Sequence, residues 1–76
     1  MVSNNEFANR VGCHFTMASR LRNGLRTPSA PMLAKIVRAF PQVERHMDPM
    51  WDALENDDST AFGQWLTEQV FDRIDS

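Results

Sequence analysis

Four side chains in the amino-terminal third share one chemistry and one spacing. Thr16, Ser19, Arg20 and Asn23 stand at i, i+3, i+4 and i+7. On a helix that spacing places them on a single outward face. They carry two hydroxyls, a guanidinium and an amide, a set that makes hydrogen bonds and holds one fixed positive charge. The rest of the chain offers little for catalysis or metal binding. Cys13, His14 and His46 are the only cysteine and histidines. Cys13 and His14 are adjacent, and there is no C-x-x-C or H-x-x-x-H spacing, so no metal or other cofactor is expected. Cys13 is read as a small buried hydrophobe in a turn. There is no Gly-rich phosphate loop and no G-x-S-x-G, and Asp57-Asp58 reads as a capped turn, not an acid/base couple. An enzyme is not expected.

The 76 residues make a single domain, residues 1–76, with a small core. One cysteine forms no internal disulfide, which argues against a secreted, stapled scaffold. No apolar run approaches the ~18 residues of a membrane span, and no signal peptide is read. A soluble protein of the cytoplasm is the expectation.

The net charge of −2 hides a division. Residues 1–40 hold Arg10, Arg20, Arg22, Arg26, Lys35 and Arg38 against Glu6, six cations to one acid, or +5. Residues 41–76 hold two cations against nine acids, or −7, and the halves together return −2. Such asymmetry points to a polyanion as partner for the basic half, with the acidic half facing away.

The apolar pattern predicts five helices and no strands. The first spans about Asn4 to Val11. Ser3 and Glu6 have capping-box spacing, Phe7, Ala8 and Val11 form the stripe, and Gly12 ends it. The second spans about Phe15 to Arg22, opened by Cys13 or His14 and stopped by Gly24, with Ala18 and Leu21 inward. Ser29 caps a third, about Ala30 to Phe40, with Pro31 in its first turn. Met32, Leu33, Ile36, Val37 and Phe40 are its core face, and Pro41 closes it. Asp48-Pro49 predicts an N-cap and first residue for a fourth helix, 49–56, offering Met50, Trp51 and Leu54. Asp58 or Ser59 caps a fifth running to about Ile74. Its apolar residues, Phe62, Trp65, Leu66, Val70, Phe71 and Ile74, make a broad stripe. That stripe either completes the core or forms a dimer interface, and the acidic segment 48–75 is expected to serve one or both purposes.

Two short helices joined across Gly12, with Ala8 small enough for close crossing, make a helix-turn-helix candidate. Residues 7–29 read F-A-N-R-V-G-C-H-F-T-M-A-S-R-L-R-N-G-L-R-T-P-S. This stretch resembles the Cro/XRE-type helix-turn-helix of phage repressors and small bacterial regulators. Phe7-Ala8, Gly12, Ser19-Arg20-Leu21, Asn23-Gly24, Arg26 and Pro28-Ser29 carry the likeness, and the helix after Pro28-Ser29 follows it with Leu33, Ile36 and Phe40. The likeness covers about residues 4–40. It implies an all-α, lambda-repressor-like five-helix bundle. The family usually has a helix ahead of this motif, where only Met1, Val2 and Ser3 stand here. Phe62, Trp65 and Leu66 are expected to cover the face that helix would occupy. Where the family often has Glu, this chain has Arg22.

The likeness implies a sequence-specific repressor that reads an operator in double-stranded DNA with helix 15–22 in the major groove. Arg20 suits the O6 and N7 of guanine, or a phosphate. Thr16 and Ser19 suit base or phosphate hydrogen bonds. Phe15 suits a thymine methyl or a lid on the turn, and Met17 is expected to pack. Asn4, Asn23 and Arg26 are placed for phosphates, and His14 for a helix cap or a phosphate. Arg22, Lys35 and Arg38 are read as a solvated helix face rather than a basic flank to the DNA site. A homodimer would suit two half-sites about 34 Å apart. With no room for an effector domain, no small-molecule ligand is expected. The competing reading is a protein-interaction module, such as an antitoxin or anti-repressor, binding through the acidic half.

Overall fold

Local signals in the chain set the ends of its elements, as the computed structural model of residues 2–72 shows. Ser3 accepts the Glu6 N–H on its Oγ at 3.1 Å and opens α1, Asn4–Val11. Gly12, at φ +84°, closes it in the left-handed conformation that costs a glycine least. The N–H groups of Gly12 and Cys13 both return to the Ala8 carbonyl. α2 follows at Phe15–Arg22. It ends in a Schellman motif, with the Leu25 N–H on the Arg20 carbonyl, the Gly24 N–H on the Leu21 carbonyl, and Gly24 at φ +74°. Ser29 caps α3, Ala30–Ala39, through the Met32 N–H. Asp58 caps α5, Ser59–Leu66, through the Ala61 N–H at 3.0 Å.

The fourth helix begins differently from its sequence signal. Pro41 ends α3, but the chain keeps turning as a 3-10 helix over Pro41–His46. Met47 is therefore already in right-handed helical backbone (φ −84°, ψ −16°), and α4 runs Asp48–Glu55 with no side-chain cap. Asp48 is a first-turn acid, not the expected N-cap, because an N-cap residue needs extended backbone.

Among the described residues the architecture is all-α, with five α-helices, the 3-10 helix and a π-helix at Thr67–Phe71, and no strand. None of these helices is long and apolar enough to cross a membrane. α1 packs on α2 and α3, α2 on α5, and α5 on α4. α5 thus lies between the inner side of α2 and the acid-rich α4.

Three phenylalanines organise the core. Phe7 stacks on Phe40 at 5.6 Å between centroids and on Phe71 at 5.0 Å. All three are buried, with Leu21, Ile36, Val43, Met50, Phe62 and Leu66 around them. Trp65 is buried too, its indole Nε1–H donating to the His46 carbonyl at 2.6 Å. Trp51 is a correction: expected among the apolar residues of α4, it is 47% exposed, and Ala53 is buried in that helix instead.

The π-helix explains how Phe71 reaches the core. Phe71 follows Phe62 by nine residues, about two and a half turns at 3.6 residues per turn, which would put it on the opposite face. The wider π turn, marked by the Asp72 N–H on the Thr67 carbonyl at 2.8 Å, brings both Val70 and Phe71 inward, where both are buried. Phe62, Trp65, Leu66, Val70 and Phe71 are all buried within one chain. Among the described residues they complete the core, the first of the two roles open to this stripe, and leave no exposed apolar stripe on this element. Ile74 lies outside the described residues.

The chain ahead of α1 is tied to the π-helix, with the Val2 N–H on the Phe71 carbonyl at 3.2 Å and Phe71 stacked on Phe7. Phe62, Trp65 and Leu66 are buried in the core on α5, which packs on α2 and α4.

Candidate nucleic-acid interface

α2 presents two faces because of its spacing. Ala18 and Leu21 are fully buried, and Met17 packs partly against the core as expected. On the other side Phe15 and Arg20 are exposed, and Thr16 and Ser19 are half-buried. The exposed Arg20 guanidinium makes no hydrogen bond or ion pair among the described residues.

The amino-terminal end of α2 is built by His14. Its Nδ1 accepts the Thr16 N–H at 3.2 Å and lies 3.0 Å from the Thr16 hydroxyl. Of the two roles open to His14, the structure shows the cap. The same contact ties the Thr16 hydroxyl to the helix end. Phe15 is 54% exposed and tilts against the His14 ring at 5.0 Å. It packs on the turn residue His14 while keeping over half of its surface in solvent, which leaves both of its readings open. Ser19 accepts the Asn23 amide on its Oγ at 3.3 Å, which fixes both polar groups along one edge. Arg26 is exposed in the loop after α2.

One expected role changes and another gains a contact. The Asn4 Oδ1 accepts from Arg22 Nη1 at 3.2 Å, which fixes its amide beside α2. Arg22 was read as solvated, but it is half-buried, with its guanidinium 4.5 Å from the centre of the Phe71 ring. Arg22 therefore joins α1, α2 and the π-helix, a structural task that keeps it off the outward face.

Cys13 is half-buried in the turn, less than the full burial expected. Burial pushes its thiol above the usual range, and the nearby Lys35 charge acts weakly in the other direction.

The carboxyl end of α2 is joined to α5 backbone to backbone. A Cβ on Gly63 would stand 2.8 Å from the Gly24 nitrogen and 2.9 Å from the Leu21 carbonyl oxygen. The Ser59 hydroxyl donates to the Gly24 carbonyl at 2.7 Å. Sequence reasoning missed Gly63. Its signal was a glycine inside an apolar helix pattern, which costs ~1 kcal/mol against alanine and so marks a close approach.

Charge divides along α2. Glu6 is the one acid on α1, α2 and α3, and it pairs with Arg10 at 2.8 Å. Glu68 and Asp72 instead line a groove with Arg22, Asn23 and Gly24 at the far end of the helix. Phe15 and Arg20 thus face solvent with no acid on their own helix or on α3. Among the described residues no group of three or more His, Cys, Asp or Glu side chains is placed to hold a metal ion. A separate groove of about 630 Å³ between α3 and α4, lined by residues including Leu33, Val37, Arg38, Met47 and Trp51, contains no residue of α2.

Comparison with known proteins gives no match: no family model, no curated protein and no solved structure matches this chain.

Proposed function

We propose that this protein is a sequence-specific reader of double-stranded DNA, acting as a repressor in the cytoplasm, with α2 as its recognition helix. The observation that carries this reading is the outward side of α2, where Arg20 is exposed with its guanidinium unpaired among the described residues and Phe15 is exposed in the first turn. Arg20 supplies the forked contact to guanine, and Phe15 an apolar surface for a thymine methyl. Ser19 and Asn23, held to each other, and Arg26 in the following loop serve phosphates along the flank. Thr16 contributes from the capped first turn. Arg22 holds the Asn4 side-chain carbonyl oxygen, which leaves the Asn4 amide N–H as a donor for a phosphate. With Phe62, Trp65, Leu66, Val70 and Phe71 buried in the core, a second subunit on this reading pairs through another face.

Selection of bound sites from a random duplex library by the purified protein tests this reading. A recovered consensus supports it. A palindrome would show two subunits and their half-site spacing, and a single unrepeated element would show one. No enrichment by folded protein would refute it.

A second reading, a protein-interaction module, is favoured by one observation. The groove between α3 and α4 is apolar along Leu33, Val37 and Met47, and the exposed Trp51 stands at its edge. Failure of site selection would shift the weight to that surface.

A further inference from the structure

We infer that Arg10, Lys35 and Arg38 form a second DNA contact, a sequence-independent seat for backbone phosphates on the turn side of α2. This rests on the reading of α2 as a recognition helix. The three cations come from two elements, and folding brings them around one groove of about 410 Å³ whose remaining walls are Val11, Gly12 and Ala39. No acidic residue lines it. Lys35 and Arg38 stand at i, i+3 on α3, so they share a face. Both are exposed, and neither has a hydrogen-bond or ion-pair partner among the described residues. Arg10 is held at the edge, with Nη2 2.8 Å from Glu6 and its guanidinium 5.5 Å from the centre of the Phe40 ring. The turn itself is open at this point: a Cβ built on Gly12 would meet nothing within 4 Å.

Position gives the groove its use. Gly12 lies two residues before His14, the cap of α2. The major groove is about 12 Å wide, and a helix with its side chains is about 10–12 Å across. A helix seated in that groove has a sugar–phosphate strand close along each side. On the turn side of α2, the elements beside that strand are the Gly12 turn and the α3 face carrying Lys35 and Arg38. The Lys35 charge acts on Cys13 in the same turn, an independent sign that its ammonium lies close. Phosphate contacts of this kind add affinity and fix register without reading bases.

The test is the salt dependence of binding. Wild type and Lys35→Gln/Arg38→Gln are titrated onto a random-sequence duplex across a range of salt, and each protein is then put through site selection. Each phosphate neutralised contributes about −0.9 to the log–log slope. The double variant is expected to flatten the slope by about 1 to 2, recover the same consensus, and regain the slope as Lys35→Arg/Arg38→Lys. Arg45→Gln, which removes an exposed cation from the 3-10 helix, is expected to leave the slope unchanged. An unchanged slope in the double variant, from wild type that does bind, overturns the second contact and leaves the recognition helix standing. A changed consensus overturns it as well, since these residues would then read bases. Wild type that binds no duplex overturns both readings together.

Discussion

Two sets of residues on α2 are built for opposite purposes. On the outward face, Phe15 in the first turn, next to the His14 cap, and Arg20 in the last turn are exposed to solvent. At the carboxyl end, Gly24 lies against the backbone of α5, and Arg22 is held by Asn4 and the Phe71 ring. The outward face therefore makes few contacts that the fold needs, while the carboxyl end is anchored by contacts from three elements. Substitutions that reach the anchored end are expected to cost stability, and those on the outward face to cost binding alone.

The largest effect belongs to Phe71→Ala. It removes a fully buried ring from Phe7 and from beneath Arg22, and such a deletion costs about 3–5 kcal/mol. Since a small domain has only about 5–15 kcal/mol in total, the variant is expected to unfold at much lower denaturant. Phe71→Leu should fall between it and wild type. Wild-type stability in Phe71→Ala would mean that the anchored end is not anchored.

Gly63→Ala is next. Alanine gains helix propensity of ~1 kcal/mol, but its Cβ meets backbone atoms at 2.8–2.9 Å that have no rotamer to escape into. Overpacking of this kind costs about 1–3 kcal/mol, so a net loss in chemical denaturation is expected. A gain in stability would show that α5 does not press on the Gly24 turn.

The smallest effect concerns Cys13. Its raised thiol holds less thiolate at a given pH, so alkylation at mildly alkaline pH should run slower in folded protein than in denaturant. The sign for stability follows. A folded thiol that keeps its proton longer than the unfolded one leaves stability intact below the unfolded value and lowers it as pH rises through both. Faster alkylation in the folded state would mean that Lys35, rather than burial, governs the turn.

Much of this arrangement is legible in the chain because it is local. Ser3, Gly12, Gly24, Ser29 and Asp58 act on backbone within a few residues of themselves, and each sets a helix end. The inner and outer faces of α2 follow from spacing alone. What was not legible depends on distant partners or on small changes of register. Asp48 loses its cap because the unforeseen 3-10 helix delivers Met47 already helical. Phe71 turns inward through a π turn that no residue type announces. Arg22 is indistinguishable from a solvated arginine until Asn4 and Phe71 are placed around it. Trp51 fits the apolar spacing of α4, yet the core beneath that helix is filled by Met50 and Ala53. The groove of Arg10, Lys35 and Arg38 exists only once α1 and α3 are side by side.

The central claim is that the outward face of α2 reads sequence while contributing little to the fold. Arg20→Ala tests it most directly, with two readouts on one protein sample. The account predicts a melting curve matching wild type, together with a loss of ~1–3 kcal/mol of base discrimination at one position of the selected site. An unchanged consensus at wild-type stability would contradict it, because the one exposed, unpaired guanidinium on α2 would then read nothing.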